Sequence, residues 1–201
     1  MERGRPRSFE ADRALEVAMR LFWRDGYEGT SLSDLTEAMG INRRSLYAAF
    51  GNKESLFLKA VDRYLQGPGA FVAAALAEPT ARSVAERMLY GAADAYTMPG
   101  HPRGCLLVQG ALACGAGAEP LRRDLAARRA SGVAALRVRF ERALMEGDLP
   151  AGIDPGTLAH YLTAVGQGIS VQAAGGVSRV DLHRLADQAL AVWPEGAVDE
   201  R

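Results

Sequence analysis

The sequence predicts an all-α protein built from two helical domains. Along most of the chain, apolar residues recur at the 3.6-residue spacing of an amphipathic helix, with glycine or proline between successive patterns. No segment shows a convincing two-residue alternation of the kind that marks a β-strand, so neither a Rossmann nor a P-loop sheet is expected. We expect about nine helices, in a three-helix N-terminal domain over residues 1–66 and a larger helical domain over residues 67–201.

Composition favours a globular protein without a membrane span. Hydrophobic residues make up 48% of the 201 positions, which is ample for a core. The 24 basic residues balance 24 acidic ones, which argues against indiscriminate binding of nucleic acid through bulk charge. No apolar run is long enough to cross a bilayer, and the start MERGRPRS lacks the apolar segment of a signal peptide, so we expect a cytoplasmic protein.

The first predicted helix carries a single apolar stripe and ends at Gly26. The stripe consists of Ala11, Ala14, Leu15, Ala18, Leu21 and Phe22. This helix is expected to support the elements that follow it.

Residues 30–50, which read TSLSDLTEAMGINRRSLYAAF, predict two short helices joined at a glycine. Either Thr30 or Ser31 can cap the first helix, and Asp34 lies in its first turn, where the helix dipole favours an anion. Gly40 can adopt the positive φ that ends a helix, and Asn42 can cap the second helix. This pattern indicates a helix-turn-helix; two packed helices that never touch DNA are the alternative.

The second of these helices is expected to present a polar face to DNA. Leu46 and Phe50 bury its opposite side. Arginine forks match the O6 and N7 atoms of guanine, while Tyr, Ser and Asn can bond phosphate oxygens. Lys53, at the start of the next helix, adds a cation where helix amides already favour phosphate. The predicted DNA contacts are Thr30, Ser31, Asn42, Arg43, Arg44, Ser45, Tyr47 and Lys53, with Arg5 and Arg7 of the basic N-terminus added as phosphate or minor-groove contacts.

The run from Phe9 to Leu65 resembles the N-terminal domain of the tetracycline-repressor (TetR) family of bacterial transcriptional regulators. The matching segments are LFWRDGYEGTS, LTEAMGINRRSLYAAF and NKESLF, and Thr36 stands where the family usually carries alanine. The resemblance implies a repressor that binds a double-stranded DNA operator as a dimer and is released by a small molecule. It is firm over the first third of the chain and only architectural beyond it.

Beyond residue 66, glycines and a proline at positions 67–69 break the pattern and mark the predicted domain boundary. The next segment to stand out is CLLVQGALACG, which is apolar nearly all round and therefore predicts a central buried helix. The other helices are predicted over residues 71–77, 81–96, 119–147, 155–174 and 179–192.

The last two predicted helices carry more apolar surface than packing within one chain requires. The stripe of Leu158, Leu162 and Ile169 is joined by a second, smooth face, which would let another helix approach closely. The alternative is that both faces are buried within one chain. We expect a two-fold dimer, which the resemblance also implies, with half-sites separated by about one helical turn of DNA or more. Its predicted interface residues are Thr163, Gly166, Ser170, Leu182, Leu185 and Ala189.

The effector site is the least determined part of the sequence. Tyr96, Gln109, Phe140 and Gln167 place polar tips or aromatic faces among apolar surfaces, as a pocket for a small apolar molecule would; otherwise each is a plain core or surface residue.

Cys105 follows the loop PGHPRG, where helix amides and Arg103 or His101 would favour a thiolate, so it is either an electrophile sensor or core packing. GCLLV also resembles the arrangement in family members that respond to reactive species through a cysteine. Cys114 is a weaker candidate.

Catalytic and metal motifs are missing from the sequence. There is no G-x-S-x-G elbow, Walker loop or H-E-x-x-H motif, and the three histidines lack metal-ligand spacing, so no enzyme, metal or cofactor is expected. A helical protein-interaction module, or an activator with the same helix-turn-helix, is the alternative function.

Overall fold

The computed structural model describes residues 5–112 and 118–194, with side chains described from residue 11 to 110 and from 118 onward. Within these ranges the chain forms ten α-helices and no strand, which confirms the all-α prediction with one helix more than expected. The helices are α1 (Arg5–Gly29), α2 (Leu32–Met39), α3 (Arg43–Phe50), α4 (Lys53–Gln66), α5 (Phe71–Leu76), α6 (Ala81–Ala95), α7 (Leu106–Leu112), α8 (Glu119–Met145), α9 (Pro155–Ala174) and α10 (Arg179–Ala191). None of these described helices is both long and apolar enough to cross a membrane.

The chain divides into two compact units that differ from the predicted domains. The first contains the chain up to Pro68 together with Leu106–Leu125, and the second contains Gly69–Cys105 and the chain from Ala126. The break after Pro68 lies two residues beyond the predicted boundary at residue 66. However, α7 and the start of α8, which the sequence assigned to the C-terminal domain, belong to the first unit, where α7 packs against α1 and α4.

An aromatic core joins α1 to α4 in the first unit. Phe22 meets Phe57 edge-on at a centroid distance of 5.1 Å, and Trp23 meets Tyr64 at 4.8 Å. Such pairs contribute roughly 0.5–1.5 kcal/mol each beyond the area they bury. α1 also leaves helical geometry at Gly26, whose φ is 74°, where the sequence predicts its end. α1 and α4 thus form the support for α2 and α3.

The second unit is built around α6, which packs against α5, α9 and α10. Gly91 permits the close approach of α5, because a Cβ at this position would come within 2.9 Å of the Phe71 ring. Phe71 also contacts the ring of Tyr96 at the end of α6, at 5.8 Å.

The buried helix predicted in CLLVQGALACG begins at Leu106, one residue after Cys105. Leu106, Leu107 and Gly110 are buried, as predicted. Cys114 lies outside the described residues.

Candidate functional site

The turn between α2 and α3 is fixed by local hydrogen bonds. Ser31 caps α2: its hydroxyl accepts from the Asp34 amide at 3.1 Å, and its own amide donates to the Asp34 carboxylate at 2.8 Å. These bonds from the Ser31 side chain and backbone hold the pKa of Asp34 below its ordinary value. Gly40 ends α2 with a φ of 66°.

Thr30 is not available to DNA, so its assignment as a contact is wrong. Its side chain is 1% exposed, and its hydroxyl donates to the Gly26 carbonyl at 2.7 Å. The Thr30 hydroxyl therefore bonds to the end of α1, and the Ser31 hydroxyl caps α2. Thr36, which stands where the family usually carries alanine, also satisfies its hydroxyl locally. The hydroxyl donates to the Leu32 carbonyl at 3.0 Å within α2.

α3 presents a polar face to solvent. Asn42 caps it by accepting from the Ser45 amide at 2.8 Å, while Leu46 and Phe50 are buried beneath it. The exposed polar side chains of α3 are Arg43, Arg44, Ser45 and Tyr47. One contact was not expected from the sequence: Nη2 of Arg43 donates to the Ser33 hydroxyl on α2 at 3.2 Å.

Lys53 extends this polar surface at the first turn of α4, which Asn52 caps. Its ammonium lies 4.2 Å above the centre of the Tyr27 ring, a cation–π contact that the sequence did not reveal. Burial lowers the pKa of Lys53, and the charges of Glu28 and Asp34 oppose this shift. The side chains of Arg5 and Arg7, the remaining predicted contacts, lie outside the described part of the chain.

In the second unit, the structure brings two of the proposed effector residues together. Tyr96 and Cys105 are both buried, at 8% exposure each. Burial first, and then the neighbouring thiol of Cys105, raise the pKa of Tyr96 well above its ordinary value. The Cys105 amide donates to the Ser170 hydroxyl on α9 at 2.8 Å.

Arg103 binds backbone carbonyls at the carboxyl end of α9. Its Nε donates to the Ala173 carbonyl at 2.8 Å, and its Nη2 donates to the Val177 carbonyl. The guanidinium therefore closes the carboxyl end of α9, where cations are favoured by the helix dipole.

The other predicted effector residues do not gather at this cluster through any described contact. Phe140 is fully buried and packs against Trp193 at 5.7 Å, as a core residue. Gln167 is half-buried on α9, and Gln109 is half-buried on α7, which belongs to the first unit.

Three of the six predicted interface residues are wrong. Ser170 and Leu182 are 0% exposed and Ala189 is 8% exposed within a single protomer, so they are not free to meet a second copy. The smooth face of α9 is instead partly turned inward, with Thr163 and Gly166 half-buried, as is Leu185 on α10.

The exposed side of α9 is a different stripe, made of Tyr161, Ala164, Gly168 and Val171, which we call the outer α9 stripe. Val171 is 52% exposed, and a Cβ added at Gly168 would meet nothing within 4 Å. Val192, the residue that follows α10, is 66% exposed. The exposed small and apolar residues of α9 therefore lie on a different face from the predicted one.

Comparison with known proteins places these features in one family. The family described as "Bacterial regulatory proteins, tetR family" matches residues 14–60, and "Tetracyclin repressor-like, C-terminal domain" matches residues 85–193. The chain belongs to the TetR family. Its members are transcriptional regulators with a helix-turn-helix DNA-binding domain, which confirms the expectation that the chain is not an enzyme.

Individual TetR-family relatives match between half of the chain and nearly all of it. The transcriptional repressor ComR of Escherichia coli K12 is 35% identical over 195 residues, covering 96% of this chain and 93% of ComR. BdcR, a repressor of the same strain, is 35% identical over 109 residues, covering 53% of this chain and 55% of BdcR. Among solved structures, a cysteine-substituted CifR complexed with 26-base-pair operator DNA is 42% identical, with a TM-score of 0.88, covering 95% of this chain and 100% of that one.

Proposed function

We propose that this TetR-family chain is a repressor whose α3 inserts into the major groove of an operator. The observation that carries the proposal is the exposed set of Arg43, Arg44 and Tyr47 on a helix capped by Asn42 and seated on a rigid aromatic core. Arginine forks reading guanine distinguish one sequence from another, and phosphate contacts fix the position of the helix. The operator-bound relative CifR supports this assignment.

Phosphate contacts are assigned to the polar groups around the arginines. Tyr47 and Ser45 are exposed beside them, and Ser31 is exposed at the amino end of α2. Lys53 stands at the amino end of α4, where helix amides already favour an anion. Asn42 contributes by capping α3, since its side-chain oxygen is already bonded to the Ser45 amide.

Two copies are proposed to pair through the outer α9 stripe and the adjoining surface of α10. Small residues such as Ala164 and Gly168 allow helices to approach closely, and Val171 supplies apolar area. A two-fold pair would present two α3 helices to a palindromic operator, with half-sites separated by about one turn of DNA or more.

Release is assigned to the Tyr96–Cys105 cluster, with a soft electrophile such as a quinone as effector. Conjugate addition would join the Cys105 sulfur to a ring carbon as a ring C=C π bond opens, the thiol proton would pass to the quinone oxygen, and the ring would tautomerise to the substituted hydroquinone. The support is the position of Cys105, which bonds Ser170 on α9 and immediately precedes α7.

A mobility-shift experiment tests DNA reading. The purified protein is expected to shift a labelled fragment of its own upstream region at a concentration that leaves an unrelated fragment of equal length unshifted. Arg44→Ala should weaken this specific complex by roughly 1–3 kcal/mol and relax preference at one base pair. A helical protein-interaction module would shift neither fragment, and that outcome would overturn the proposal.

A reporter gene placed behind the same fragment separates repression from activation. Repression predicts higher reporter expression when the gene for this protein is deleted and lower reporter expression when the gene is restored. An activator would give the reverse order.

A further inference from the structure

The second unit contains a buried positive charge that neither DNA reading nor effector release uses. Arg139 on α8 is only 5% exposed, and its neighbours Leu136, Phe140 and Ala143 are core residues. A buried guanidinium costs free energy unless its donors and its charge are both compensated.

Only one nitrogen of this guanidinium has partners among the described residues. Nη2 donates to the carbonyls of Glu78 and Pro79, at 2.9 and 2.8 Å, and so ties α8 to the connection between α5 and α6. Nε and Nη1 are buried, and within the described ranges neither has a hydrogen-bond acceptor. A guanidinium carries five N–H donors and no acceptor, so the missing partner must accept hydrogen bonds.

The carboxylates near this connection are engaged elsewhere. Glu78 pairs with Nη1 of Arg87 at 3.0 Å, and the Asp148 carboxylate accepts from the Ala81 amide at 2.5 Å. Neither compensates the charge of Arg139, for which no ion pair is found among the described side chains.

A second buried donor lies against α8. Trp193 is 5% exposed, and its indole Nε1 likewise has no acceptor in the described part of the chain. Its ring packs against Phe140, the residue next to Arg139. Donors without acceptors, one of them cationic, are the chemistry of an anion site.

We propose that Arg139 binds a small monoanion, either chloride or a short carboxylate, inside the second unit. The anion accepts from Nε and Nη1 and neutralises the buried charge, while Nη2 keeps its bonds to the α5–α6 connection. Because the site lies within the core, it selects ions by size as well as charge. This inference is independent of the operator and of Cys105.

Thermal unfolding at constant ionic strength tests the site. The melting temperature is measured in potassium gluconate, whose anion is large, with gluconate replaced stepwise by chloride or by acetate. An anion at ten times its Kd is expected to raise the Tm by about 3–6 °C. A rise with chloride alone identifies a halide site, and a rise with acetate alone identifies a carboxylate site.

Variants locate the effect. Arg139→Met keeps an unbranched, flexible side chain but removes the charge and every donor, and should make the Tm insensitive to either anion. Arg142→Met is the matched control, since Arg142 is exposed on the same helix and pairs with Glu146; it should keep the full response. An equal response in Arg139→Met, or no response in the unsubstituted chain, would overturn the proposal and leave a buried water as the acceptor.

A direct measurement covers the case in which Arg139→Met does not fold. Crystals of the unsubstituted chain grown in bromide should show an anomalous peak within hydrogen-bond distance of Arg139 Nε or Nη1 if the site takes a halide. If acetate alone raised the Tm, electron density for acetate should lie there instead. An unoccupied or water-sized feature with both anions would contradict the inference.

Discussion

Two adjacent arginines on α3 differ in how they are held. Nη2 of Arg43 donates to Ser33, whereas no partner for Arg44 is found among the described residues. A side chain that is already ordered loses less conformational freedom on binding, and this loss costs roughly 0.5–1.5 kcal/mol for a long side chain. Ser33 is therefore expected to position Arg43 for base reading.

Removing the Ser33 hydroxyl tests this role. Ser33→Ala should weaken operator binding by about two- to tenfold, because Arg43 must then be ordered during binding. In a double-mutant cycle, Ser33→Ala and Arg43→Ala should be non-additive, whereas Ser33→Ala and Arg44→Ala should add. Tighter binding by Ser33→Ala would show instead that the serine holds Arg43 away from DNA.

Lys53 carries a separate prediction about phosphate contacts. Lys53→Ala should weaken binding to all sequences alike and reduce the slope of log K against log salt by about one unit, since one counterion fewer is released. The control is Lys59→Ala, on the exposed side of the same helix, which should leave the slope unchanged. Fluorescence anisotropy over a salt series measures both. Equal slopes for the two variants would remove Lys53 from the interface.

The sequence predicts the ends of helices where they depend on neighbouring residues. The caps at Ser31, Asn42 and Asn52 and the stop at Gly40 depend on residues within three or four positions, so α2, α3 and the start of α4 could be predicted. The choice between Thr30 and Ser31 could not, because both offer a hydroxyl and only burial against the end of α1 separates them.

The sequence does not determine which side of α9 is buried. The helix is apolar or small on nearly every side, so several stripes have helical spacing. Contacts with residues distant in the chain decide which side is buried, among them the bond from the Cys105 amide to Ser170. For the same reason, the apolar character of α7 predicted its burial but not its partners, α1 and α4.

The outer α9 stripe gives a testable prediction about the dimer. Gly168→Glu should lower the affinity between protomers by roughly 1–3 kcal/mol, about 5- to 150-fold in Kd, because added bulk and charge meet their copy across a two-fold axis. Folding should persist, since Glu is a better helix former than Gly and the site is open in one protomer. Gly132→Glu on α8, equally open, is the control. Sedimentation measures the dimer fraction, and an undiminished dimer in Gly168→Glu would exclude this face.

At the scale of the whole molecule, Cys105 is the point at which the chain passes from one unit to the other. Cys105 is the last residue of a segment of the second unit, and Leu106 opens the α7 segment of the first. In the second unit its amide is bonded to Ser170, and in the first α7 packs against α1, which also contacts α2. Under the proposed function, a covalent change at Cys105 acts through the adjoining α7 on α1 and α4, which α7 contacts.

The proposed release is tested by measuring the response of operator binding to a quinone. A coupling of roughly 1–3 kcal/mol predicts that the quinone-labelled protein binds its operator about 5- to 150-fold more weakly than the unlabelled protein. Cys105→Ser should bind the operator with the same Kd before and after quinone treatment, because it lacks the thiol. Ser170→Ala should still be labelled at Cys105. Its labelled and unlabelled Kd values should differ by a smaller factor than in the wild type, because the Cys105 amide is no longer held by the Ser170 hydroxyl on α9. Mass spectrometry confirms the site of labelling before each titration. A labelled wild-type protein with an unchanged Kd would assign Cys105 to core packing, while DNA reading by α3 would be unaffected.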